Sequence, residues 1–225
     1  MPDKKLQLFI LPYAGGSNTS FRRLSALIDE WVEVITVEYP GRGTRAKEPY
    51  STGFWDLFED AANYIRKRRN ANIPFCLMGY SMGSILVYEL ARYNIPGILK
   101  HMFIAAEVSP RGRALELRQV DNPTEEELIE RAKQLGGFDE RMLMNPRFRE
   151  IYLKPMLSDY RNFLEYRFTE ASGRITTDTT FFVTVQSLQL WTSIKAVWLC
   201  NERQASKEET PCATAVEMKL SVQAN

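Results

Sequence analysis

The sequence predicts an α/β fold built on a mainly parallel sheet, with a helical segment inserted late in the chain. Short apolar or β-branched runs alternate with helical patterns over residues 1 to about 110, the order that favours parallel strands joined by helices. Three of those runs end in loops that contain glycines. From Asn122 onward helical patterns follow one another with no strand signal until Thr179.

Residues 6–11 form an apolar run closed by Pro12-Tyr13-Ala14-Gly15-Gly16-Ser17. Phe21, Leu24, Leu27 and Ile28 then recur at helical spacing, which predicts strand, glycine loop, helix. Residues 32–39 are a second β-branched strand, stopped by Pro40-Gly41-Arg42-Gly43. A helix follows through Trp55, Phe58, Ala62 and Ile65. A strand over 75–79, a helix over 82–93 and a strand over 101–106 continue the alternation. Residues 112–170 are expected to be a helical lid insertion. They contain a start at Pro123-Thr124-Glu125-Glu126-Glu127-Leu128, where acidic residues suit the helix dipole, a break at Gly136-Gly137, and prolines at 146 and 155. Strand composition returns at 179–185, and Leu190, Trp191, Ile194, Val197 and Trp198 fall at helical spacing. Residues 201–225 are a polar, weakly patterned tail, and the whole chain reads as a single domain.

With 225 residues and 44% hydrophobic content, the chain can bury a substantial core. The 29 basic and 28 acidic residues nearly cancel, so neither nucleic acid nor an acidic membrane surface is expected as a partner. No stretch is long and apolar enough for a leader or a membrane span, and a cytoplasmic monomer is expected. Cys76, Cys200 and Cys212 are odd in number and widely spaced, which suggests neither a disulfide framework nor a zinc site. No metal and no cofactor is expected.

The chemistry centres on Phe75-Cys76-Leu77-Met78-Gly79-Tyr80-Ser81-Met82-Gly83-Ser84, an apolar strand ending in Gly-x-Ser-x-Gly and followed at once by a helix. That is the form of a nucleophile elbow, in which the serine sits on a sharp turn and the glycines leave room for neighbouring backbone. Ser81 is the candidate nucleophile. Met82 and Ala14 are the candidate donors of oxyanion-hole N–H groups, since the glycine loop after the first strand lies where such a donor is needed. The bland alternative is a glycine turn with a serine cap. Neither loop carries the Lys-Ser/Thr of a phosphate loop.

A serine hydroxyl needs a histidine base held by a carboxylate, and the only histidine is His101. It opens a strand and so lies at the sheet edge opposite the elbow, roughly 15–20 Å away, where a structural role is expected. Glu107 falls on the elbow side, and a solvated loop carboxylate is the preferred reading. Arg66-Lys67-Arg68-Arg69 reads as a solvated helix end. Phe138, Met142, Met144, Tyr152, Met156, Tyr160 and Phe163 read as helix packing, with an acyl channel as the alternative.

The loop Pro12-Tyr13-Ala14-Gly15-Gly16-Ser17, the segment Pro40-Gly41-Arg42-Gly43 and the elbow Gly79-Tyr80-Ser81-Met82-Gly83-Ser84 closely resemble type II thioesterases of nonribosomal peptide and polyketide assembly lines. The likeness runs through Val87-Tyr88-Glu89-Leu90-Ala91, Leu135-Gly136-Gly137 and Pro155-Met156-Leu157-Ser158-Asp159-Tyr160, over residues 6 to 182. It implies an α/β-hydrolase fold with helices on both faces of the sheet and a helical lid. It implies hydrolysis of acyl groups from the phosphopantetheine arm of acyl or peptidyl carrier proteins, with Ser81 as nucleophile and Met82 and Ala14 lending N–H groups. Members of that family carry a catalytic Asp soon after the strand matching 179–182, and later a Gly-Gly-His. Here the Asp position falls near Ser187, no acidic residue occurs between Asp178 and Glu202, and no histidine follows His101.

The C-terminal part is therefore expected to be incomplete, and a frame shift near codon 183 is one hypothesis for it. Absence of Gly-Gly-His from both other reading frames would sink that account. Three functions compete: an editing thioesterase impaired by its missing Asp and His, a non-catalytic carrier-protein or acyl-binding module, and a truncated product with no stable fold.

Overall fold

The computed structural model describes residues 3–93, 97–107, 109–118, 123–134, 140–169 and 175–182. Five strands, β1 (Leu6–Leu11), β2 (Val32–Thr36), β3 (Phe75–Tyr80), β4 (Leu99–Ala105) and β5 (Thr179–Phe182), form one parallel sheet in the order β2-β1-β3-β4-β5. Strand side chains alternate between faces, and β1 shows why both faces are covered. Phe9 and Leu11 enter the main core, whereas Leu8 and Ile10 pack on the opposite face with Phe21, Leu24 and Ile28.

On the first face lie α2 (Phe54–Arg68) and α3 (Met82–Arg92). Phe54, Leu57, Phe58, Ala61, Ala62 and Ile65 form the buried stripe of α2, and each large member contributes roughly 1.5–3 kcal/mol through burial. The cationic end Arg66, Lys67 and Arg68 sits in the last turn, where it opposes the helix dipole. Every residue of α3 from Met82 to Leu90 is buried, because the helix is enclosed by the sheet and α2 and reached by Phe163 and Tyr166 from farther along the chain.

The first helix is shorter than its pattern predicts: α1 is only Arg22–Ser25, and Leu27 is 84% exposed. The shortfall is at its C-terminal end, where the Leu27 N–H donates to Leu24 O and the Ile28 N–H to Ser25 O, so tight three-residue turns replace the α-helix. A helix the sequence reading passed over, α4 (Pro110–Leu117), follows β4. Its signal was Ser109-Pro110, with the serine hydroxyl capping the Gly112 N–H and the proline in the first turn.

Between β4 and β5 the chain continues through α5 (Glu125–Gln134), α6 (Glu140–Met144), the short α7 (Pro146–Phe148), a π-type turn (Arg149–Leu153) and α8 (Lys154–Leu164). Leu128, Leu153 and Leu157 form a small core of their own, while Phe163 and Tyr166 join the main one. Met142, Met144 and Tyr152, read as packing residues, are exposed, and Met156 and Tyr160 flank the small core. Phe138, Leu135-Gly136-Gly137, Ser187, the helix expected over 190–198, the tail 201–225, Cys200 and Cys212 lie outside the described residues. Among the described residues no helix is long and apolar enough to cross a membrane.

Candidate active site

At the junction of β3 and α3, Ser81 has φ +51° and ψ −123°, a conformation that costs a non-glycine residue of order 1–3 kcal/mol. The neighbours hold it there. The Ser81 N–H donates to Ala105 O (2.9 Å), and Ser84 Oγ both donates to Ala105 O (3.0 Å) and accepts from the Ala105 N–H (3.3 Å). A Cβ on Gly79 would press into the Gly83 carbonyl and the Ser84 backbone, and one on Gly83 would meet the Leu11 carbonyl carbon at 2.6 Å and Pro12 O at 2.8 Å. Both glycines are therefore demanded by close backbone approach, and the start of α3 rests directly on the end of β1.

That packing brings the loop after β1 beside the elbow. Leu11 pairs with Gly79, and the Tyr13 ring lies 5.8 Å from the Tyr80 ring, with Phe21 completing an aromatic trio. Ala14 packs against the main core. Met82 opens α3, so its N–H is one of the first four that have no acceptor inside the helix. Ser81 and Met82 thus stand at the carboxyl end of β3, and Ala14 in the loop that follows the carboxyl end of the neighbouring β1.

His101 is not part of this cluster. It pairs with Cys76, five residues before Ser81 and so about 16 Å back along the strand, and its Nε2 bonds Thr180 Oγ1 at 2.8 Å. Glu107 corrects the reading as a solvated carboxylate: its side chain has no exposure and it forms an ion pair with Arg113. Burial works against the Arg113 charge, and the attraction and hydrogen bond of Glu107, with Glu116 adding to them, more than offset it and hold the guanidinium charged above its ordinary range.

Sequence reasoning missed a buried polar cluster under the glycine loop. Arg42 and Asp159 form a two-pronged ion pair, with Nη1 to Oδ2 at 2.5 Å and Nη2 to Oδ1 at 2.6 Å, and side chains only 3% and 2% exposed. Tyr39 donates its hydroxyl to Pro12 O (3.0 Å) under the Arg42 cation, and burial, then Asp159, push its phenol well above the ordinary range. Burial works against the Arg42 charge, and Asp159 more than offsets it. The available signal was a polar position on the buried face of α8, where Pro155, Asp159, Asn162 and Phe163 follow at i, i+4, i+7 and i+8. A cavity of about 550 Å³ beside α8, lined by Tyr50, Thr52, Arg149, Lys154 and Arg161 among others, includes none of Ser81, Met82 or Ala14. Among the described residues no group of His, Cys, Asp and Glu could hold a metal.

An elbow of this construction, on a parallel sheet covered on both faces, is the mark of the α/β hydrolases. Comparison with known proteins narrows the class. A family model described as Thioesterase domain matches residues 6–208, and the chain belongs to that family. It is 29% identical over 198 residues to the gramicidin S biosynthesis protein GrsT of Aneurinibacillus migulanus, covering 83% of this chain and 75% of GrsT. Among solved structures, the RedJ thioesterase of the prodiginine pathway in Streptomyces coelicolor superposes with a TM-score of 0.69 at 26% identity, over 84% of this chain and 73% of RedJ. The type II thioesterase BorB of the borrelidin cluster gives 0.67 at 26% identity, over 86% and 82%.

Proposed function

We propose that this chain, as a single-domain monomer, takes acyl thioesters from the phosphopantetheine arm of acyl or peptidyl carrier proteins, with Ser81 as nucleophile. The observation that carries this reading is the strained Ser81 backbone, held between two glycines that admit only backbone neighbours and set beside the Ala14 loop. Ser81 Oγ would attack the thioester carbonyl, and the N–H groups of Met82 and Ala14 would stabilise the resulting oxyanion by roughly 3 kcal/mol each. Collapse of that intermediate would expel the thiol and leave an acyl-serine for water to cleave.

The sole histidine is tied to Thr180 at the other end of the sheet. Turnover is therefore expected to be far below that of an intact triad, with roughly 10³–10⁴ over water surviving from binding and the oxyanion hole. The test is release of free acid from acyl-loaded carrier protein by the wild type and by Ser81→Ala. Equal rates would remove Ser81 from the account. The same position of His101 favours a second reading, a module that binds acyl carrier protein without turnover. Saturable binding of the loaded carrier, with no acid released by either protein, would select it.

A further inference from the structure

One carboxylate joins the helical segment between β4 and β5 to the loop that carries Ala14. Asp159 on α8 is 1% exposed, and its Oδ2 accepts both from the Gly15 N–H (2.8 Å) and from Arg42 Nη1 (2.5 Å). Arg42 passes the grip along the loop by donating to Gly16 O (3.2 Å), while Tyr39 beneath it donates to Pro12 O (3.0 Å). Pro12, Gly15 and Gly16 are thus each fixed through one polar cluster, with Ala14 between them. A second, apolar contact points the same way: a Cβ on Gly15 would lie 2.7 Å from Met156 Cβ and 3.0 Å from Met156 Cα, so α8 rests on the loop backbone itself.

Stability alone does not explain the arrangement. A buried ion pair is often no more stabilising than apolar residues of the same volume, and Arg42 Nε has no partner among the described residues. What the pair supplies is geometry, because a planar guanidinium on a carboxylate fixes two bonds at once and leaves one lone pair aimed at Gly15.

We propose that Asp159 is a positioning residue for the oxyanion loop: its carboxylate relays the seating of α8 to Gly15, so that the Ala14 N–H is aimed at the reacting oxygen only while α8 is docked. The proposal rests on the oxyanion role given to Ala14 above.

Amide hydrogen exchange tests it. In the wild type under mild urea, the Gly15 amide and the central amides of α8 are expected to open together, with the same urea dependence. Gly15 exchanging independently of α8 would overturn the proposal, and this arm needs no variant to fold. In Asp159→Asn, exchange at Gly15 is expected to quicken about tenfold or more, while β1 and β3 stay unchanged. Unchanged protection at Gly15 would refute the relay. The reversed pair Arg42→Asp/Asp159→Arg separates positioning from support, since it restores an ion pair but turns a donor toward the Gly15 N–H. It is expected to recover thermal stability without recovering Gly15 protection, and recovery of both would mark the pair as merely structural. Labelling of Ser81 by an alkyl fluorophosphonate, expected about tenfold slower in Asp159→Asn, checks the underlying function separately. Equal release of free acid from acyl-loaded carrier protein by the wild type and Ser81→Ala would sink the Ser81 assignment, while the exchange data would still decide the relay.

Discussion

Replacing Gly83 by alanine sets two effects of opposite sign against each other. Alanine favours a helix over glycine by up to about 1 kcal/mol, so at an open helical position the change would stabilise. At Gly83 the added methyl would lie 2.6 Å from the Leu11 carbonyl carbon and 2.8 Å from Pro12 O, both of them backbone atoms that no rotamer change can move. The Leu11 carbonyl oxygen would be closer still, so relief to ordinary contact distances requires α3 and β1 to separate by more than about 1 Å. Overpacking of this kind costs about 1–3 kcal/mol and more where backbone must shift. The clash should win, with a net loss of about 2 kcal/mol and a melting temperature lower by roughly 4–8 °C for a chain of this size. Because the shift falls between the elbow and the Ala14 loop, Ser81 reactivity should fall by about 10²-fold. Differential scanning calorimetry and the rate of Ser81 phosphonylation would be measured together. A melting temperature equal to or above that of the wild type would refute the argument that backbone approach, rather than turn chemistry, demands glycine at this position.

Other perturbations test the packing around the site. Tyr166→Phe removes the hydroxyl that donates to Glu89 Oε1 at 2.7 Å inside the core, and should cost about 1.5–3 kcal/mol in urea unfolding. Ser109→Ala removes the cap on α4 and should cost about 1 kcal/mol, with the far-ultraviolet spectrum nearly unchanged. The Tyr39 phenol is raised by burial and by Asp159, so the folded state keeps its proton where the unfolded chain would lose it near pH 10. That contribution is complete below pH 10 and is lost as pH climbs through the higher folded value, so Tyr39→Phe should flatten the fall in melting temperature above pH 10. Cys76 is 5% exposed and burial raises its thiol, so in a Cys200→Ser/Cys212→Ser variant the native protein should show almost no reaction with a disulfide reagent at pH 8 until it is unfolded.

Much of the sheet was legible in the sequence because parallel strands buried on both faces leave near-continuous apolar runs, as at Leu6–Leu11, interrupted only by Gln7, and at Phe75–Tyr80. The elbow was legible because its backbone requirements fall on adjacent residues. The Arg42–Asp159 cluster was not, since its partners lie 117 residues apart and nothing local to Arg42 names its acceptor. Glu107 was misread for a related reason. Its position at the end of β4 suggested water, and only the fold of α4 shows that Arg113 closes over it. The helix expected from Phe21 forms but stops at Ser25, where Leu27 and Ile28 bond three residues back, a tightening that apolar spacing does not register.

The backbone at residue 81 carries a further meaning. A left-handed φ is free to glycine and expensive to serine, so Ser81→Gly should yield a chain that is chemically blank yet more resistant to heat. Durability and reactivity pull in opposite directions at that one joint, and the hydroxyl stands there at the expense of the fold that holds it.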